Sequence, residues 1–178
     1  MQSQAPHHTF TAWSAIAAFA ASVDRVTRFA CLVLTGIVFA ALLGVVVLRY
    51  VFGMGFLELQ DAASYAFAAL VVLGIPVAYR ADAHVRVDIF RAGMAPRAAR
   101  RFDIAAYFLL VIPIFGITLW QVWPDIAYAW SIREGSRETG GLAGYFLVKT
   151  MLPLACVLML FQGLVLVITR SGGDRDGG

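Results

Sequence analysis

Four long apolar runs, separated by short polar stretches, set the pattern of the chain. The first, "FACLVLTGIVFAALLGVVVL" at 29–48, carries no charge. The second covers about Ala62 to Tyr79, the third about Ile104 to Trp123 and the fourth about Tyr145 to Thr169. At about 1.5 Å of rise per residue, a helix of about 20 residues spans a hydrocarbon core of roughly 30 Å. Backbone N–H and C=O groups find no partners in lipid, so each run must satisfy its own as a helix. The alternating pattern of a membrane barrel is absent. Pro76, Pro113 and Pro153 fall inside runs and are read as kinks, which neighbouring helices accommodate in a membrane.

The pattern predicts an all-α membrane protein with four transmembrane helices, at about 28–50, 58–80, 102–124 and 143–169. A segment at 1–27 precedes this domain of residues 28–170. In that segment Phe10, Trp13, Ala17 and Ala20 recur at helical spacing, which predicts an uncleaved amphipathic helix lying at the membrane interface. Residues 171–178, "SGGDRDGG", read as a disordered tail. Composition agrees: 61% of residues are hydrophobic, against about 45–50% in soluble domains.

Charge then orients the chain. Arg80, Arg86, Arg91, Arg97, Arg100 and Arg101 crowd the connection between spans two and three. Between spans three and four, Arg133, Arg137 and Lys149 are matched by Asp125, Glu134 and Glu138. Positive residues in short loops stay in the cytoplasm. Both termini and the Arg80–Arg101 connection are therefore expected there, in contact with anionic lipid head groups, and "WSIREGSRETGGL" outside. The basic cluster is too short and too hemmed in by spans to suggest a nucleic-acid partner.

Chemistry is sparse. None of His7, His8 and His84 lies within a span, so no paired histidines hold a membrane haem. His84 lies near Asp82 and Asp88, but the spacing suits no common metal site. Cys31 and Cys156 form no C-x-x-C pair and sit at different depths, as small core residues. No acid lies in the middle of a span, where an ion-binding carboxylate would be wanted. Glu58 and Asp61 share a helix face at the start of span two, where Arg49 is expected to pair with them across the turn. No cofactor is expected. Packing surface, by contrast, is ample: Gly36, Ala40 and Gly44 stripe span one, and Ala62, Ala66 and Ala69 stripe span two.

The ordered pieces "LRYVFGMGFLELQD", "LGIPVAYRADAHVRVDIF", "YAWSIREGSRETGGLAGYFLVKTMLP" and "LFQG" together resemble the small permease subunit of TRAP transporters, the DctQ-like family. The matching positions are Arg49 at the end of span one, Glu58 and Leu59 opening span two, Gly74, and the turn with Arg80, His84, Val85, Val87 and Asp88. Trp130, Ser131, Glu134, Ser136, Glu138, Gly140, Gly141, Leu142 and Lys149 are similar to the branch associated with mannitol, chloroaromatic compounds and 2-oxo acids. Phe56 and Leu57 stand where many relatives carry a Trp. The resemblance implies a multi-pass protein of the bacterial inner membrane. It implies a non-catalytic scaffold beside a large elevator-type permease, in sodium-coupled uptake of an organic acid delivered by a periplasmic binding protein. His84 and Asp88 then either cap helix ends or meet the large subunit. Trp130, Ser131, Glu134, Ser136 and Glu138 either dock the binding protein or hydrogen-bond within their own loop, and Lys149 snorkels outward towards Glu134 or Glu138. The rival readings are a free-standing membrane assembly or signalling protein and a membrane redox enzyme.

Overall fold

The computed structural model describes residues 8–80, 95–136 and 140–172. Its elements are α1 (His8–Val51), α2 (Leu57–Arg80), α3 (Pro96–Ala106), a π turn (Tyr107–Val111), α4 (Ile112–Ser131) and α5 (Tyr145–Gly172). Segments α3, π and α4 run on as one rod. Among the described residues, four stretches are long and apolar enough to cross a membrane: Ala15–Val51, Leu57–Arg80, Arg101–Ser131 and Tyr145–Ile168.

Two boundaries differ from the hydrophobic pattern. The N-terminal segment is helical from His8, as the first part of α1 and not as a separate element. Its 44 residues extend about 66 Å at 1.5 Å each, twice a bilayer core. No proline or glycine interrupts 8–35, so nothing in the backbone breaks the helix there. The third span continues past Pro124 to Ser131, because a chain leaving the apolar layer keeps its internal hydrogen bonds whether or not its side chains are polar. Pro76 and Pro153 likewise lie inside continuous helices.

The core is asymmetric. In α2 and α5, 28% and 39% of the most apolar stretch is buried, against 6% in each of the other two spans. These two helices form the centre, with α1 laid on α2 and α4 on α5. Small residues make the close approach possible. Ala63, Ala66, Ala69, Leu73 and Pro76 form the buried stripe of α2, one residue off from the stripe at Ala62. In α5 the buried set includes Ala155, Cys156, Met159 and Val165. On α1 only Gly44 of the expected stripe packs inward, where a Cβ would stand 3.0 Å from Leu59 Cδ2. Gly36 and Ala40 are exposed.

The π turn sets the third rod against α5. Pro113 lacks an N–H, and the wider turn just before it absorbs the missing ladder bond. Tyr107 opens that turn and is buried, its hydroxyl donating to Leu160 O at 2.7 Å.

Candidate functional site

Polar side chains collect at the two ends of the bundle. The richer end is built from the start of α2, the end of α4, the connection 132–144 and the start of α5. At the end of α4 the Arg133 and Glu134 N–H groups bond to Trp130 O (3.3 Å) and Ala129 O (3.0 Å). This is the paired bonding of a Schellman cap, with Arg133 in the left-handed region at φ 48° where glycine is usual. Glu134 O then accepts from Phe146 N–H at 3.2 Å, tying the start of α5 to the end of α4.

Two side chains of α2 grip the chain as it returns to α5. Asp61 Oδ2 accepts from Leu142 N–H at 2.8 Å, and Tyr65 Oη donates to Leu142 O at 3.1 Å. The same carbonyl accepts from Ser136 N–H at 3.1 Å. Gly141 is the residue that permits this: a Cβ there would collide with Asp61 Oδ2 and the Ser136 side chain. Trp130 Nε1–H donates to Thr150 Oγ1 at 2.9 Å, and its ring meets Phe146 edge-on with centroids 4.8 Å apart.

Lys149 is the electrostatic centre of this end. Its Nζ lies 2.8 Å from Glu134 Oε2, 3.3 Å from Asp125 Oδ2 and 5.6 Å from the centre of the Tyr145 ring. The side chains of Lys149 and Glu134 are each about four-fifths buried. One cation thus serves two carboxylates on two other elements.

The structure therefore brings Trp130, Glu134, Ser136 and Lys149 into one hydrogen-bonded assembly. Ser131 stays apart, its hydroxyl donating back to Tyr128 O within α4. The pairing of Arg49 with Glu58 or Asp61 is not formed: Asp61 turns to Leu142, and Arg49 and Glu58 are exposed at the α1–α2 turn. There Gly53 at φ 65° reverses the chain, so that Met54 N–H caps Leu48 O at 3.0 Å. Gly74 is half-buried in α2 with open space beside it. Glu138, Arg86, Arg91, His84 and Asp88 lie outside the described residues, as do the side chains of Arg97 and Arg100; Arg101 is exposed.

At the opposite end, Arg80 is folded onto the bundle. Its Nη1 donates to Ala20 O at 2.7 Å, and its Nε lies 3.8 Å from Asp24 Oδ2. Asp24 also accepts from Arg28 at 2.9 Å. The Phe19 ring meets Phe161 of α5 edge-on. The early part of α1, the end of α2 and the later part of α5 thus share one end. Sequence reasoning had Arg80 as a surface anchor and missed Asp24, because the two are far apart in the chain. Gln162 stands in the "LFQG" of the resemblance, but as a lone amide inside an apolar run it was given no role.

Between the two ends nothing is charged. Residues 29–48, 62–79, 104–124 and 150–169 contain no Asp, Glu, Lys, Arg or His. Among the described residues, no three His, Cys, Asp or Glu side chains gather as metal ligands. Cys31 and Cys156 are both free thiols.

The model of the family described as tripartite ATP-independent periplasmic transporters, DctQ component, matches residues 34–172. No curated protein and no solved structure matches the chain.

Proposed function

The chain belongs to the DctQ components of tripartite ATP-independent periplasmic transporters, and from that premise we propose that it is a scaffold on which a large elevator-type permease moves. The observation that carries this reading is the charge-free middle of all four spans. Carrying sodium and an organic anion across a bilayer calls for charged or ion-binding groups at mid-depth, and the middle of these spans carries no charged side chain. It offers a static apolar body, with the exposed faces of α1 and of the α3–α4 rod available to lipid or to another membrane subunit. In this reading the end carrying Arg80 is cytoplasmic by the positive-inside rule. The Lys149 end faces the periplasm of a bacterial inner membrane, and the cargo is an organic acid.

The test is co-expression of this chain, tagged at its C-terminus, with a large permease and a binding protein encoded beside it. The expected result is co-purification with the permease at near-equal amount, and loss of sodium-driven uptake when this chain is omitted. A monodisperse lone chain, together with full uptake in its absence, overturns the scaffold reading.

The binding protein docks, in this reading, on the outer loop. Glu134, Ser136 and Lys149 are committed to bonds within the loop. Among the described residues, the docking contact then falls to the exposed Arg133 and the open edge of Trp130. Arg133→Gly separates docking from stability. Glycine relieves the left-handed backbone and is expected to stabilise the chain by about 1 kcal/mol. Loss of the charge should raise the half-saturating binding-protein concentration about threefold at low salt, with the difference closing as salt rises. A stabilised variant with unchanged half-saturation places docking elsewhere.

A further inference from the structure

At the Arg80 end, α1, α2 and α5 enclose a crevice of about 170 Å³ lined by Ala17, Tyr79, Arg80, Gln162, Val165 and Leu166. Gln162 is 3% exposed, and neither its Oε1 nor its Nε2 has a hydrogen-bond partner. A buried amide left unpaired in an apolar bundle is costly, and isolated polar residues in spans mark sites. Asp24 Oδ1, at the same end, is a second buried acceptor without a partner. Arg80 borders the crevice with a guanidinium of five N–H donors, of which Nη1–H is given to Ala20 O while Nε faces Asp24. Among the described residues, Asp24 pairs with both Arg28 and Arg80, so this cluster of three is net positive.

We propose that the crevice seats the head group of a phospholipid that carries a hydrogen-bond donor. The phosphodiester oxygens accept from Arg80 and from Gln162 Nε2–H. The head-group ammonium or hydroxyl donates to Gln162 Oε1 and meets the Asp24 carboxylate. Charge and depth favour a lipid: Arg80 stands just past the charge-free run of α2 and Gln162 about two turns inside that of α5, and basic pockets between helices near that level suit anionic phosphates. The surface beside it is apolar, with Ile16, Phe19 and Leu164 exposed next to the lining residues, which gives acyl chains a place to lie. Ala17, Ala20 and Asp24 precede the stretch matched by the family model, which starts at residue 34. The early part of α1 thus supplies one wall of the site.

The inference needs only that the chain spans a membrane, so it is tested on the purified full chain without any permease. Bound lipid is counted by native mass spectrometry in detergent, and the thermal midpoint is followed as defined lipids are added. Phosphatidylethanolamine and phosphatidylglycerol carry head-group donors, whereas phosphatidylcholine does not. The wild-type chain is expected to retain one donor-bearing lipid and to gain stability from it, with phosphatidylcholine at least about tenfold weaker. Gln162→Leu removes both amide atoms and is expected to weaken the donor-bearing lipids by at least about tenfold, without lowering the lipid-free midpoint. Ala17→Phe, which plugs the crevice from α1 and keeps Gln162, gives the same loss. Equal retention by wild type and both variants overturns the site, and equal binding of phosphatidylcholine overturns the donor contact. An equal gain from soluble glycerophosphoethanolamine overturns the lipid as the source. A midpoint unmoved by any of them leaves only water in the crevice and overturns the proposal.

Discussion

Gly163→Ala is expected to destabilise the bundle by about 2–4 kcal/mol, a large part of the net stability of a small domain. The reason is one close approach. Tyr107 lies with its ring against the backbone of α5 at Gly163, and a Cβ there would collide with the ring Cε2 and stand 2.8 Å from Cδ2. The ring has nowhere to retreat, because Tyr107 is 3% exposed and its hydroxyl is fixed on Leu160 O. Overpacking of this kind typically costs about 1–3 kcal/mol. Displacing the ring also breaks the hydroxyl bond, worth about 0.6 and at most about 1.7 kcal/mol in a membrane bundle. The measurement is the thermal midpoint of the detergent-solubilised chain, with Gly116→Ala as control, since a Cβ at Gly116 meets nothing within 4 Å. Tyr107→Phe should lose about 1 kcal/mol, and Tyr107→Val combined with Gly163→Ala should recover part of the alanine penalty. If Gly163→Ala shifts the midpoint no more than Gly116→Ala, the ring is not seated on α5.

This contact also shows what a linear reading sees and what it does not. The four spans were legible because lipid imposes one requirement on every position, and residues 29–48, 62–79, 104–124 and 150–169 meet it without a charge. Their partners were not legible. The stripe at Gly36, Ala40 and Gly44 has the period of a packing seam, yet Gly36 and Ala40 are exposed and only Gly44 meets α2. Periodicity says that a face exists, not what covers it. Nearby charges misled in the same way. Arg49 and Asp61 flank one short turn, so proximity along the chain favoured their pairing. Asp61 instead meets a backbone N–H 81 residues away, at Leu142. A free N–H in a returning loop leaves no mark in the sequence, although Gly141 beside it is a mark of close approach once the fold is known. Lys149 is offered Glu134 or Glu138 by the sequence, because a cation one turn inside a span must reach outward to the acids of the outer loop, and among the described residues it pairs with Glu134. Its second partner, Asp125, required α4 to continue past Pro124, and the apolar pattern ended the third span there.

That shared cation gives the second large effect. Lys149→Met keeps the apolar stem and removes the charge, leaving Glu134 and Asp125 without their cation. Breaking a fully buried ion pair by deleting one partner costs about 3–5 kcal/mol, and surface pairs are worth 1 or less. Lys149 and Glu134 are about four-fifths buried, whereas Asp125 is 63% exposed. The Glu134 arm therefore dominates, and the expected loss is about 2–3 kcal/mol. It should fall on the outer loop and not on the spans, because Glu134 also holds the start of α5 through its carbonyl. Hydrogen exchange should thus rise at the Phe146 and Leu142 amides while the middle of α2 and α5 stays protected. Glu134→Gln on the Lys149→Met background removes the stranded charge and should restore about half of the loss. Asp125→Asn on the same background should restore little, since water already solvates that carboxylate. Equal rescue by both would mean that Lys149 acts through the net charge of this end and not through its bond to Glu134. A Lys149→Met chain as stable as wild type, with an unchanged exchange pattern, would show the loop to be held by the Asp61–Leu142–Tyr65 grip alone.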